Sequence, residues 1–235
     1  MKFNSQSFNL IIFKATVVVF CIVVGVTAFG CKKSTSKYYD DLNKLLKKYK
    51  IVEGHTNLFP ERHKCLVDLV KSNKIKNIAE IGFNAGHSSI TFLLNNKKAK
   101  LWSFDLCTHK YYYESKKYIK SIFKDRFNIT CGNSLKTVPQ FYKDNPDFKF
   151  DLIHIDGGHL GEIPKKDIMN MVKLSHKDTL ILVDDCNVVK TSKKEGWTGA
   201  EVNKAWRYFS KKKIIKPILH NKCNIGNCLG KPTIK

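Results

Sequence analysis

Arginine is almost missing from this chain. Of its 42 basic residues only Arg62, Arg126 and Arg207 are arginine, and the rest are lysine. Arginine is the side chain of base readout and two-pronged phosphate clamps, so its scarcity argues against a dedicated nucleic-acid surface. The formal charge of +22 comes from lysines spread along all 235 residues. Such a spread gives weak, salt-sensitive attraction to polyanions rather than a site, and together with many Asn, Ile, Tyr and Phe it has the look of AT-rich coding. Glycine (13) and proline (6) are too few for a collagen-like or linker-like chain. No internal repeat is present, which excludes a solenoid or propeller. A hydrophobic fraction of 43% excludes wholesale disorder, and the length suits one ordinary domain with an appendage.

The appendage is at the start. From Phe8 to Cys31 the only charge is Lys14, and residues 15–31 read ATVVVFCIVVGVTAFGC. Leu10 to Cys31 is about the length that crosses a bilayer, provided Lys14 snorkels. Two readings stand side by side: a retained signal anchor, or a signal peptide cleaved near Ala28-Phe29-Gly30-Cys31. Lys32, Lys33 and Lys37 after the segment favour the anchor with the following domain on the cytoplasmic side. Cleavage would instead leave a secreted or lumenal protein. The expected layout is therefore residues 1–31 as membrane anchor or signal segment, 32–54 as linker and amphipathic helix, and 55–235 as the domain proper.

Eight cysteines leave the redox state open. Cys131 and Cys186 sit at the ends of apparent strands, where thiols are usually buried. Cys223 and Cys228 flank Asn-Ile-Gly-Asn and read as a turn, a disulfide or half a metal site. No second cysteine pair completes a zinc set.

Within the domain, Tyr38, Leu42, Leu45, Leu46 and Tyr49 recur at helical spacing. A second helix starts after Asn57, with Pro60 in its first turn and Cys65, Leu66, Leu69 and Val70 on its inner face. From Asn77 short apolar runs alternate with helical segments: NIAEIG then HSSITFLLNN, KLWSFDL then YYYESKKYIKSIF, FNITCG then SLKTVPQFY, FDLIHID then IPKKDIMNMVKLS, TLILVDDC then GAEVNKAWRYFS, and last KIIKPIL. That rhythm predicts an α/β fold, doubly wound around a mostly parallel sheet. KIIKPIL and NCLGKPTI predict an antiparallel hairpin at one edge.

Ligands of such sheets bind beyond the C-terminal strand ends. The first strand ends Glu80-Ile81-Gly82-Phe83-Asn84-Ala85-Gly86-His87-Ser88. Gly82 and Gly86 permit a tight turn and close backbone approach. Asn84 stands where the dinucleotide fingerprint has its pyrophosphate-facing glycine, so a ligand without a pyrophosphate fits better. Asp105 ends the second strand, placed to accept both ribose hydroxyls. The fourth strand ends in Asp156 followed by Gly157-Gly158-His159, and the fifth in Asp184-Asp185. If these two strands are neighbours, three carboxylates converge at one mouth, and a divalent cation is the simplest relief of their repulsion. Oxygen donors suit Mg²⁺, with Mn²⁺ and Ca²⁺ less selectively. An alternative has Asp156 serving the cofactor side and the acid pair capping the next segment.

Taken in order, ExGxxxG-S, the acid at 105 and FDLIHIDGGH resemble class I S-adenosylmethionine-dependent methyltransferases, in the branch with a D-G-x-H motif similar to the catechol O-methyltransferase type. The resemblance spans roughly residues 55–220. It implies a seven-stranded Rossmann-like methyltransferase fold, here preceded by an N-terminal hydrophobic helix, and S-adenosyl-L-methionine as donor. Glu80, Gly82, Asn84, Gly86 and Ser88 would line the methionine portion, Asp105 the ribose, and Asn133 and Ser134 the adenine. Asp156, Asp184 and Asp185 would hold the metal, with Asp185 standing where relatives carry Asn.

The resulting expectation is methyl transfer to a hydroxyl of a small-molecule or sugar-type acceptor, with Asp156 and His159 as catalytic residues. An imidazole, with its ordinary pKa of about 6.5, can take a hydroxyl proton near neutrality. His87 and His154 read as structural, His154 by pointing away from the strand end. Tyr111, Tyr112, Tyr113 and Trp197 are candidates to cover the acceptor or simply half-buried helix residues. Rival readings are a metal-independent methyltransferase of the same fold, a nicotinamide oxidoreductase, and a membrane-tethered nucleoside-binding module without catalysis. Acceptor identity and oligomeric state are not written in the sequence.

Overall fold

The computed structural model describes residues 37–49, 60–187, 199–220, 223 and 226–234. The hydrophobic segment 1–31, the polar linker after it, the expected domain boundary at 54/55 and Trp197 all lie outside the described residues. The single-pass membrane placement with a cytoplasmic domain requires correction. Among the described residues no helix is long and apolar enough to cross a membrane. The longest of them, Tyr112–Phe123 and Ala200–Lys211, have 12 residues each and carry lysines, against the roughly 20 apolar residues a span needs.

The chain divides into two compact units, Met1–Lys44 and Leu45–Lys235. Helix α1, residues 37–46, buries Leu42 and Leu46 as its spacing predicts; Tyr39, which that spacing does not name, is buried too, while Tyr38 and Leu45 are partly buried. The second unit contains a seven-stranded mixed sheet. Its elements run α2 (Pro60–Val70), β1 (Asn77–Ile81), α3 (His87–Asn95), β2 (Lys100–Asp105), α4 (Tyr112–Phe123), β3 (Phe127–Cys131), α5 (Ser134–Asp144), β4 (Phe150–Ile155), α6 (Ile163–Lys173), β5 (Ser175–Val183), α7 (Ala200–Lys211), β6 (Ile215–Pro217) and β7 (Cys228–Pro232). The strand order is β3-β2-β1-β4-β5-β7-β6. Strands β1 to β5 pair in parallel, while β7 lies antiparallel between β5 and β6.

The sequence accounts for these elements. β1 and β4 are buried along nearly their whole length, as central parallel strands must be, which explains their unbroken apolar runs. α7 buries Val202, Ala205, Trp206 and Phe209 at helical spacing and turns its lysines outward. α2 buries Cys65, Leu66, Leu69 and Val70, the face expected. Chain order reverses between β1 and β4, so the crevice of this sheet opens where those two strands end.

Among the described residues, three disulfides correct the reading of the cysteines as buried thiols and a plain turn: Cys65–Cys223, Cys107–Cys131 and Cys186–Cys228, with Cα–Cα distances of 4.9, 5.5 and 5.6 Å. Register supplies the reason for two of them. Asp105 pairs with Cys131, which brings Cys107, two residues on, within bridging range. Val183 pairs with Cys228 across the antiparallel β5–β7 ladder, which does the same for Cys186. Both bridges thus lie at the C-terminal, ligand-side ends of the parallel strands.

Candidate functional site

The turn after β1 is pinned from three sides. Gly82 has φ +94°, and a Cβ there would lie 1.9 Å from the Asp156 carbonyl oxygen, so only glycine fits. Gly86, at φ +87°, would meet the Ile119 side chain at 2.1 Å. Asn84 takes the left-handed conformation at φ +50°, and its Oδ1 accepts from the Tyr111 hydroxyl at 2.6 Å. The Asp105 carboxylate braces this turn. Its Oδ2 accepts from the Phe83 and Asn84 amides at 2.9 and 3.0 Å, and its Oδ1 from the Cys107 amide at 2.6 Å. A carboxylate has further lone pairs, so capacity for ribose hydroxyls remains.

Glu80 lies beneath the turn rather than on its open side. It is fully buried. Oε1 accepts from Ser88 Oγ at 2.5 Å, and Oε2 from Ser89 and Ser103 Oγ at 2.7 Å each. Burial raises its pKa, and the three hydroxyls oppose that shift. Glu80 and Ser88, expected beside the methionine portion, therefore support the turn from below. Gly82 and Asn84 remain on its partly open face.

After β3, Asn133 caps α5, its Oδ1 accepting from the Leu135 amide at 2.9 Å. Ser134 Oγ donates to Asp167 Oδ1 at 2.8 Å, which joins α5 to α6. Asp167 is buried, and its pKa rises to about 6 because burial outweighs the Ser134 hydrogen bond.

β4 and β5 are neighbours, so Asp156, Asp184 and Asp185 do converge. The Asp156 amide donates to Ile81 O and the Asp184 amide to Ile155 O, each at 2.9 Å, which continues the sheet ladder into the acids themselves. Burial and then the charges of Asp184 and Asp185 push the Asp156 carboxyl well above the usual range. Its side chain stays 31% exposed, so it faces the cleft. Asp184 and Asp185 are also raised, by burial first, with Arg62 opposing. His159 Nε2 lies 3.4 Å from Asp185 Oδ2 and 3.9 Å from Asp156 Oδ1.

Two members of this cluster escaped the sequence reading. Arg62 reaches in from α2, with Nη1 3.3 Å from Asp184 Oδ1 and Nη2 3.0 Å from Asp185 Oδ1. It packs on Gly226, where a Cβ would lie 2.4 Å from Nη2. The rarity of arginine in this chain was the available signal. His154 is the second. Residues 154 and 156 are two apart on one strand and so share a face, which corrects the expectation that His154 points away. It is 2% exposed, and burial, then Arg62, lowers its pKa to about 4. One nitrogen of its ring and one oxygen each of Asp156 and Asp184 lie within 4.8 Å of one another. The same holds for Asp156, His159 and Asp185.

The donor set fits a divalent cation. With all three carboxylates ionised, one guanidinium leaves two negative charges at the mouth, which one such ion cancels. Tyr111 is buried in the site wall, whereas Tyr113 is 70% exposed.

Residues 79–186 match a family model described as a methyltransferase domain. No curated protein sequence matches the chain. Among solved structures it is similar to an O-methyltransferase from Bacillus cereus in complex with S-adenosylhomocysteine, at 16% identity and TM-score 0.63 over 86% of this chain and 91% of that one. It is similar to the S-adenosylhomocysteine-bound methyltransferase PaMTH1 of Podospora anserina, at 13% identity and TM-score 0.65 over 100% and 98%. A third likeness is to the S-adenosylmethionine-bound O-methyltransferase TomG of Streptomyces achromogenes, at 17% identity and TM-score 0.62 over 84% and 90%. The strand-end motifs and the family model agree on residues 79–186, the stretch from β1 to just past β5, as similar to a methyltransferase domain.

Proposed function

We propose that this enzyme transfers the methyl group of S-adenosylmethionine to a hydroxyl oxygen of a small-molecule acceptor. One observation carries the reading: the glycine turn and the acid mouth share an edge. Gly82 lies against the Asp156 carbonyl with no room for a side chain, so a ligand nested on the turn ends beside Asp156, Asp184, Asp185 and His159. The likeness to O-methyltransferases of Bacillus cereus and Streptomyces achromogenes supports the O-methyl assignment.

Gly82 and Asn84 would present backbone to the methionine portion, Asp105 would accept from the ribose, and Asn133 and Ser134 would border the adenine. The donor supplies an already activated methyl group, so the protein's task is alignment and proton removal. Asp156 and Asp184, with Asp185 beside them, would hold a divalent cation, which supplies Lewis acidity toward the acceptor oxygen. His159 takes the hydroxyl proton at Nε2, steadied by Asp185. The products are the methyl ether, S-adenosylhomocysteine and a proton carried off through His159. Tyr111 fixes Asn84 and so the width of the donor turn.

A second reading has Arg62 as the sole cation at the mouth, favoured by its contacts to both Asp184 and Asp185. Calorimetry with S-adenosylhomocysteine, with and without divalent ions, joined to methyl transfer on a panel of phenols and sugars, tests both. Binding of S-adenosylhomocysteine with turnover abolished by EDTA is the expected result. Turnover unaffected by EDTA selects the Arg62 reading, and absence of S-adenosylhomocysteine binding ends both.

A further inference from the structure

The acid mouth contains more than oxygen donors. His154 sits on β4 one residue before Ile155, on the face it shares with Asp156. Its ring is 2% exposed, and Nδ1 is buried with no hydrogen-bond partner. A buried polar nitrogen left unmatched costs on the order of 1–3 kcal/mol unless something meets it. Its neighbours are apolar and acidic groups, with the Arg62 guanidinium also acting on it. Phe92 packs edge-on to the ring at 5.6 Å between centroids, which fixes its plane. A ring nitrogen and one oxygen each of Asp156 and Asp184 lie within 4.8 Å of one another. Donors within 4.8 Å of one another must draw in to about 3–3.5 Å for one ion to meet all three at roughly 2 Å, a movement that rotation of the two carboxylates supplies.

We propose that His154 is a nitrogen donor to a cation seated between Asp156 and Asp184, and that the site therefore takes a first-row transition ion in preference to Mg²⁺ or Ca²⁺. The inference rests on the reading of the mouth as a cation site, and it deepens that reading by naming the ion class. Imidazole suits Fe²⁺, Ni²⁺ and Zn²⁺, whereas Mg²⁺ and Ca²⁺ are served by oxygen alone; Mn²⁺, the hardest of the first-row ions, is the paramagnetic probe of the site. The cluster then divides its work. His154, Asp156 and Asp184 form the ion site. Asp185, bonded to Arg62 Nη2 and 3.4 Å from His159, orders the guanidinium and the second imidazole instead of ligating. This places Asp185 outside the ligand set that the sequence resemblance implies. Arg62 stays in place when the ion binds, because its contacts use the Oδ1 atoms of the acid pair and leave Oδ2 of Asp184 available.

The test uses the full chain with S-adenosylhomocysteine bound, stripped of metal and titrated with Mn²⁺. Pulsed electron paramagnetic resonance of the bound Mn²⁺ is expected to show modulation from a directly bound ¹⁴N. Mg²⁺ is expected to displace Mn²⁺ only at tenfold or greater excess. In His154→Gln the ¹⁴N signal should vanish and the preference for Mn²⁺ should fall at least fivefold. In His159→Gln both should persist. Wild-type protein without the ¹⁴N signal, a signal lost in His159→Gln instead, or displacement by equimolar Mg²⁺ overturns the proposal. If His154→Gln does not fold, the wild-type and His159→Gln spectra decide alone. Retained S-adenosylhomocysteine binding with no Mn²⁺ binding would sink this inference while leaving methyl transfer standing; loss of S-adenosylhomocysteine binding would sink the methyltransferase reading itself.

Discussion

Arg62 donates from Nη2 to Asp185 Oδ1 across 3.0 Å, joining two residues 123 positions apart. The Asp185 side chain is 10% exposed and that of Arg62 is 24% exposed, so solvent screens the pair only in part. Arg62→Met leaves the acid pair without its guanidinium and should cost about 2 kcal/mol of stability. Millimolar Mn²⁺ should recover more of the lost Tm in the variant than it adds to the wild type. Thermal denaturation with and without the ion checks this, and an equal ion effect in both proteins would refute it.

Asp105 accepts from two backbone amides of the donor turn and from the Cys107 amide. An amide in its place has one acceptor oxygen and a donor group, so Asp105→Asn leaves at least one N–H unmatched. The loss should be about 1–3 kcal/mol. S-adenosylhomocysteine affinity measured by calorimetry should fall about tenfold or more, and undiminished binding would remove Asp105 from the donor site.

Gly82→Ala places a methyl group 1.9 Å from the Asp156 carbonyl oxygen at a backbone angle that alanine rarely adopts. The turn must part from β4. A protein that still folds should have lost S-adenosylhomocysteine binding, whereas Gly161→Ala, where nothing lies within 4 Å, should bind normally at only a small cost from its positive φ of +58°.

Asp167 titrates near pH 6 in the fold instead of near its ordinary 3.8. A raised carboxyl pKa means the native state holds a proton that the unfolded state has released, so this stability is complete below about pH 4 and is lost as pH rises through 6. The shift corresponds to about 3 kcal/mol. His154, lowered from 6.5 to about 4, has the opposite sign: its contribution is present above pH 6.5 and lost as pH falls through 4. The two slopes partly cancel, which is why the variant is needed. Asp167→Asn should flatten the decline in stability between pH 4 and 6, measured by denaturant unfolding at each pH. Identical pH slopes in variant and wild type would contradict the assignment.

The Cys107–Cys131 bridge closes a 24-residue separation beside the Asp105 brace. Replacing both by serine should cost about 3 kcal/mol and weaken S-adenosylhomocysteine binding, because Cys107 supplies one of the amides that orient Asp105. Denaturation and calorimetry of the double variant decide. A stable variant with unaltered binding would show that the bridge adds nothing to the site.

The alternation of apolar runs with amphipathic segments determined the order of strands and helices from Asn77 onward, and the closing hairpin, because periodicities of two and 3.6 are local properties of sequence. The glycine turn at 82–86 and the acids at 105, 156, 184 and 185 were legible for the same reason: each ends a recognisable strand. What the acids touch was decided only in three dimensions. Glu80 proved to be a buried brace because three hydroxyls from α3 and β2 close over it. Arg62 entered the site from a helix far upstream. The disulfides depend on which strands lie side by side, and two of the three join segments 42 and 158 residues apart. Local patterning sets the pieces; the pairing of β4 with β1 and β5 sets which charges meet, since only the folded sheet brings those strand ends within reach of one another.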